Sequence, residues 1–325
     1  MGEALIPVDL FNPGQVFACL GFLEGADVIL GDAEGGFDWR EERQVKFALR
    51  VAGDRNPFEA VLEFLAQVEP KRWGPNGYAD PTPKNGESDE DDSEEGDDAS
   101  DETKAQGEKS ALALSPTFPA KAGDRRALPI RFGGGNRPFV ELGHWTDGST
   151  RNSFKLYAGN RSAERVARAM LKGVRKPPTE KQKANQQPGD LKTNGVLQLW
   201  EGDRDALVTA PFDVLTPMGG SFNFDPRGAW TAIDAGYSPN QQKHTIKASP
   251  VVEFLAAWGL EHARPDELEG RQVRYAAWGV SLPPMLARAA LGGGLTTVPL
   301  RRFRSNLNFS GKNKVVSFAQ EEPAA

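Results

Sequence analysis

The chain comprises 325 residues, 38% hydrophobic and 9% aromatic, enough to bury a substantial core as one large or two smaller domains. Its one cysteine, Cys19, excludes an internal disulfide and a cysteine-built zinc site; no stretch of about 18 apolar residues and no basic-then-apolar leader is read, so a soluble, cytoplasmic protein is expected. The net charge of -6 is concentrated: residues 87 to 102, ESDEDDSEEGDDASDE, hold 11 acidic and no basic side chains, leaving 39 basic against 34 (45 less 11) acidic residues in a mildly cationic remainder.

In chain order, LIPVDLF (5 to 11) reads as a strand feeding a helix over 13 to 27. Asn12 is its N-cap, Pro13 suits the first helical position, and Gln15 is spaced to reach back to the Asn12 amide as a capping box. Phe11 and Val16 stand at the two positions of a hydrophobic staple. Val16, Cys19, Leu20 and Leu23 follow helical spacing, which makes Cys19 a core thiol. After a Gly-rich turn, Val45, Phe47, Leu49 and Val51 alternate as in a half-buried strand. Asn56, Pro57 and Glu59 repeat the capping punctuation ahead of a second helix, whose Phe58, Val61, Leu62 and Leu65 share a face.

Residues 71 to 119 turn polar, Pro-rich and acidic, the composition of a long disordered insertion. It separates an N-terminal strand-helix unit, 1 to 70, from a C-terminal region, 120 to 325, expected to pack with it as one core. LPIRF and PFVELGHW read as strands joined by the glycines at 133 to 135, and NSFKLYAGN leads into a helix near 162 to 174. Residues 175 to 194 read as a mobile loop and GVLQLWEG as a short strand. Ser249-Pro250 opens a helix carrying Val252, Leu255 and Leu260, RQVRYAAWGVSL is strand-like, and PPMLARAAL is a Pro-initiated helix. Residues 298 to 318 alternate like a strand or hairpin. Helices and strands mix without a regular βαβ rhythm, so the expected class is α+β, with mixed sheets and capped helices.

Enzyme signatures do not emerge. The glycine runs at 133 to 135 and 292 to 294 lack the GK[ST] of a phosphate-binding loop and the GxGxxG of a dinucleotide fold. His144, His244 and His262 are far apart and have no metal-site neighbours, and no serine sits in a GxSxG elbow. No cofactor or metal is expected, and a hydrolase assembled from distant residues is the lesser alternative.

Cationic patterning is more informative. Arg161, Arg165, Arg168 and Lys172 recur at intervals of three and four, giving a basic stripe on one helix, which an ordinary solvated face explains equally well. In LRRFRSNLNFSGKNK, period 2 puts Arg302, Arg304, Asn306 and Asn308 on one face and Phe303, Leu307 and Phe309 on the other. Arg301 precedes this row and Lys312 and Lys314 follow it, a density of cations and amides that favours contact with a phosphate backbone. RRALPIRF adds Arg125, Arg126 and Arg131. Phe222 and Phe224, beside Arg227 in GGSFNFDPR, suit either base stacking or a core, with the core favoured; the tryptophans default to core packing.

The blocks DLFNPGQVFACLGFLEGAD, FKLYAGNRSAERVARAM, FNFDPRGAWTAIDAGYSPN, SPVVEFLAAWGLEHARP and RYAAWGVSLPPMLARAA resemble, in this order, a CRISPR-associated family of type I-G (formerly I-U) systems, their large-subunit-like component. The resemblance covers most of the chain outside the acidic tract. It implies a subunit of a Cascade-type surveillance complex, with guide RNA, target DNA, the other Cascade subunits and a helicase-nuclease as partners and no membrane. Such a subunit does not cut: it holds target DNA, stabilises the opened strands and recruits the nuclease. A backbone-type subunit that grips guide RNA is the alternative. The chain is short for a large subunit, and its acidic block is atypical of one.

Overall fold

The computed structural model describes residues 2 to 41, 43 to 73, 129 to 143, 145, 156 to 157, 162 to 228, 246 to 310 and 313 to 323. The acidic tract, Arg125, Arg126, His144, Arg161, Trp230, His244 and Lys312 lie outside them.

The chain runs β1 (Gly2–Pro7), α1 (Pro13–Leu30), β2 (Glu34–Asp38), β3 (Lys46–Val51), α2 (Pro57–Gln67) and β4 (Lys71–Arg72). There follow β5 (Ile130–Gly134), β6 (Arg137–Leu142), α3 (Ala163–Lys172), β7 (Val174–Arg175), α4 (Glu180–Ala184), β8 (Leu191–Thr193), α5 (Val196–Gly202) and α6 (Arg204–Thr209). The last part comprises β9 (Thr216–Pro217), a 3-10 turn (Pro226–Gly228), β10 (Lys247–Ala248), α7 (Pro250–Gly259), β11 (Asp266–Leu268), β12 (Gln272–Trp278), α8 (Pro284–Leu291), β13 (Leu300–Ser310), β14 (Asn313–Val316) and β15 (Gln320–Glu321). The class is α+β. Sheets form in the orders β1-β3-β2, β4-β5-β6 and β11-β12-β13-β14, with β15 on β13 and two short pairs, β7-β8 and β9-β10. Every strand pairing among the described residues is antiparallel.

At the centre, α1 packs along α7. From Pro13 to Ala26 every residue of α1 is buried, where the sequence suggests a single apolar face. By length and composition this helix qualifies as a membrane span, against the reading that no such run exists, but 78% of it is buried inside the protein. Its glycines explain the packing. A Cβ on Gly21 would stand 2.0 Å from the Leu255 carbonyl oxygen, and one on Gly259 of α7 would stand 2.2 Å from that of Phe17. The two helix backbones therefore approach more closely than any side chain between them permits. Around them Phe22 and Phe58 meet edge to face at 5.0 Å, Phe17 and Tyr275 at 5.5 Å, and Phe132 and Trp258 at 5.4 Å. Cys19 is fully buried in this core, and its desolvation holds the thiol well above its usual range.

The capping grammar holds with two differences. Asn12 accepts from the Gln15 amide, and Asn56 accepts from the Phe58 and Glu59 amides. Gln15 Oε1, however, accepts from the Asp9 amide at 2.8 Å instead of closing a box on Asn12, and Glu59 pairs with Arg204 of α6. Phe11 is 44% exposed and meets Phe303 edge to face at 5.5 Å.

Other expectations change. The Gly-rich turn after α1 contains β2, because Gly36 lets the backbone pass where a Cβ would stand 2.2 Å from the Val280 carbonyl oxygen. GVLQLWEG is helix α5, not a strand; the Gln198 side chain accepts from the Gly195 amide at 2.8 Å and settles a short apolar run that fits either period. Residues 175 to 194, read as a loop, carry α4 within the β7-β8 hairpin, with Thr179 and Gln182 forming a capping box. Lys71 and Arg72 open no linker but form β4 against β5.

Candidate nucleic-acid interface

The longest strand, β13, carries the row of cations read from the sequence, and its pairing with β12 decides which of them act together. Arg304 lies opposite Arg274, Arg302 opposite Ala276 and Asn306 opposite Gln272. One face therefore presents Arg274, Arg302, Arg304, Gln272 and Asn306, while Phe303, Ser305 and Leu307 point into the core. Two guanidiniums directly across a ladder repel each other. Glu322 relieves this: its carboxylate accepts from Arg274 at 2.6 and 3.2 Å and approaches Arg304 Nε at 3.3 Å. Asp266 adds a longer contact to Arg274, 3.6 Å. The hydrogen bond to Glu322 raises the Arg274 pKa further above its already high value, so this face stays cationic at any working pH. Arg302 has no ion-pair partner among the described residues. Two carboxylates against three guanidiniums leave the face positive.

The remaining predicted cations of this hairpin, among the described residues, lie on the other side of the strand. Arg301 lies on the core-directed side, where its Nε and Nη2 each donate to Glu321 at 2.6 Å and the group sits over the Trp39 and Phe303 rings. That pairing holds the Glu321 carboxyl below its usual range. Lys314 is paired across from Phe309, on the opposite face from Arg302 and Arg304. Phe309, read on the same face as Phe303 and Leu307, is 45% exposed, with the Arg271 guanidinium 5.1 Å from its ring centroid.

On α3, Arg165 and Arg168 are exposed as the helical spacing predicts, but the stripe is stitched to its surroundings. Arg168 contacts Glu164 and Glu69, Arg72 reaches Glu164 at 2.7 Å, and Lys172 Nζ donates to the Ala66 carbonyl at 2.9 Å. Partial burial lowers the Lys172 pKa, with Glu69 and Glu201 opposing that shift.

Arg227 belongs to a buried polar hub instead of a surface. Its guanidinium grips the wholly buried Asp225 at 2.7 and 2.8 Å. Asp225 also accepts from Asn12 Nδ2 at 3.1 Å and from the Ser249 amide at 3.1 Å, so one carboxylate ties together the N-caps of α1 and α7. Glu253 of α7 accepts from the Phe224 and Asp225 amides, and burial followed by the Asp225 charge pushes its pKa up to about 7. Phe222 and Phe224, 1% exposed each, are core residues held by this latch.

Two groups of site residues escaped the sequence reading. Arg274 was read only as part of a strand, because its pairing with Arg304 is a matter of register. Lys71, Arg72, Arg137 and Phe139 come together with Arg131 at the β4-β5-β6 sheet; the glycines beside Phe139 were the available signal. Among the described residues no group of three or more His, Cys, Asp or Glu side chains is arranged to hold a metal ion. Comparison with protein-family models, with curated proteins and with solved structures found no match for this chain.

Proposed function

We propose that this protein is a non-catalytic nucleic-acid-binding subunit of a type I-G CRISPR surveillance complex, acting in the cytoplasm on target DNA alongside guide RNA, the other Cascade subunits and a helicase-nuclease. The observation that carries the reading is the solvent-facing row Arg274, Arg302 and Arg304, flanked by Gln272 and Asn306 on a rigid antiparallel ladder. Each guanidinium that meets a phosphate releases a condensed counterion, giving sequence-independent, salt-dependent affinity. The amides of Gln272 and Asn306, paired at one end of the row, supply further phosphate and sugar contacts. The exchange of a DNA duplex for an RNA-DNA hybrid is nearly balanced, so a few such contacts tip it without any bond being broken. The five sequence blocks that resemble the large-subunit-like family support the same assignment.

The test is a fluorescence-anisotropy titration of labelled duplex DNA with the full chain and with Arg302→Glu/Arg304→Glu across a salt series. Weaker binding with a shallower salt dependence is expected. Wild-type affinity and slope in the double variant remove this face from the interface, and tighter binding of RNA than of duplex DNA moves the reading to a guide-RNA-gripping subunit.

A further inference from the structure

A second cationic surface lies on the β4-β5-β6 sheet. It is a groove of about 710 Å³ bordered by Lys71, Arg72, Arg131 and Arg137, with Glu69 in its lining and Glu141 and Glu164 at its edge among the described residues. The register sets Lys71 and Glu141 on either side of Arg131 and puts Phe139 opposite Gly133 on the same face. Arg72 is paired with Glu164 and Arg131 with Glu141, whereas Lys71 and Arg137 are exposed and have no ion-pair partner among the described residues.

Phe139 stands out in this setting. It is 65% exposed, yet its ring is fixed from beneath. Arg131 lies 5.3 Å from the ring centroid and 4.6 Å from that of Trp73. The ring lies over Gly134, where a Cβ would stand 2.7 Å from it, and the Gly134 φ of +96° favours glycine. Among the described residues this large apolar ring meets Arg131 and the Gly134 backbone on one side and leaves its other side to solvent.

We propose that this groove binds an unpaired nucleic-acid strand, with Phe139 as the platform for one base and Lys71 and Arg137 as phosphate contacts. Charge complementarity selects a polyanion, and the exposed ring selects one whose bases are free. In a duplex the base faces are already stacked, whereas in a single strand every base offers a π face, and a base on an aromatic ring is a sequence-tolerant contact. The inference rests on the nucleic-acid-binding reading above but uses a different sheet and a different form of the ligand.

The test measures binding of labelled oligo-dT, oligo-U and duplex DNA by the full chain, by Phe139→Ala, by Phe139→Trp and by Lys71→Gln/Arg137→Gln. Phe139→Ala should weaken both single strands about tenfold and leave the duplex unchanged, with Phe139→Trp restoring the loss. Lys71→Gln/Arg137→Gln should flatten the salt dependence of single-strand binding. The ratio of oligo-dT to oligo-U affinity then tells whether DNA or RNA supplies the strand. Wild-type single-strand affinity in Phe139→Ala, or an equal loss on duplex, overturns the groove while leaving the Arg302/Arg304 interface standing. Unchanged duplex binding by Arg302→Glu/Arg304→Glu overturns that interface while leaving the groove. A second protein seated on Phe139 would appear as dimerisation lost in Phe139→Ala with single-strand binding intact, which also overturns the proposal.

Discussion

The Asn12 side-chain amide donates to the buried Asp225 carboxylate at 3.1 Å, joining the first helix cap of the chain to a loop 213 residues away. Asp225 is the acceptor on which donors from three residues converge: the Asn12 side-chain amide, the Arg227 guanidinium and backbone amide, and the Ser249 amide. Asp225→Ala leaves an uncompensated guanidinium and three unpaired donors, at a cost of about 3 to 5 kcal/mol. Asn12→Ala removes the cap and one of these bonds, at about 1 to 2 kcal/mol. Because the two residues share a bond, the double variant should lose less than the sum, and a urea-denaturation double-mutant cycle measures the difference.

Glu253 makes stability depend on pH. Its folded-state pKa, about 7, lies above its ordinary value of 4.5, so between these values the folded protein holds a proton that the unfolded chain releases. Stability is therefore greatest at the acid end of this window and falls as pH rises through about 7, by a few kcal/mol in all from this one group. Urea midpoints followed from about pH 5 to pH 8 should decline for the wild type. Glu253→Gln, uncharged throughout, should flatten that decline whatever its own stability.

Gly21 holds α1 against α7. Alanine is the better helix former by about 1 kcal/mol, so Gly21→Ala would stabilise an isolated helix. Here the new methyl meets the Leu255 carbonyl oxygen at 2.0 Å and pushes two backbones apart. The expected outcome is a net loss of about 1 to 3 kcal/mol, read as a lower thermal midpoint. The same sign is expected for Gly259→Ala.

Arg301 and Arg302 are neighbours in sequence with different duties. Arg301→Ala breaks a two-fold contact to Glu321 and uncovers the Phe303 ring. It should lower the thermal midpoint without changing the salt dependence of DNA binding. Arg302→Ala should do the reverse, reducing the salt slope by about one while leaving stability near wild type. Calorimetry and anisotropy on the two variants separate the roles.

The sequence was legible where structure is local. Asn12, Asn56 and Ser249 cap helices because a cap needs only a side-chain oxygen and the next few amides. The alternation in residues 300 to 310 reports a strand with one buried face because successive side chains point to opposite sides. The strand reading of GVLQLWEG failed because eight residues with four apolar positions fit both periods, and the Gln198 bond to the Gly195 amide together with burial of Val196 favours the helix.

Whether a charge faces solvent or serves the fold is not a local property. Arg227 and Arg301 look like Arg302 in the sequence, but Asp225 lies in the core beneath the first and Glu321 in a strand that returns beside the second. Arg274 and Arg304 become one cationic face only through a register set by β12 and β13, and Lys71 joins Arg131 and Phe139 only when β4 meets β5. The order of residues by itself determined the starts of α1, α2 and α7, the alternation of β3 and most of β13, and a cationic remainder around an acidic tract. The tertiary structure decided which cations are neutralised and which converge, because ion pairing depends on distances of a few ångströms between segments whose separation in sequence carries no such information.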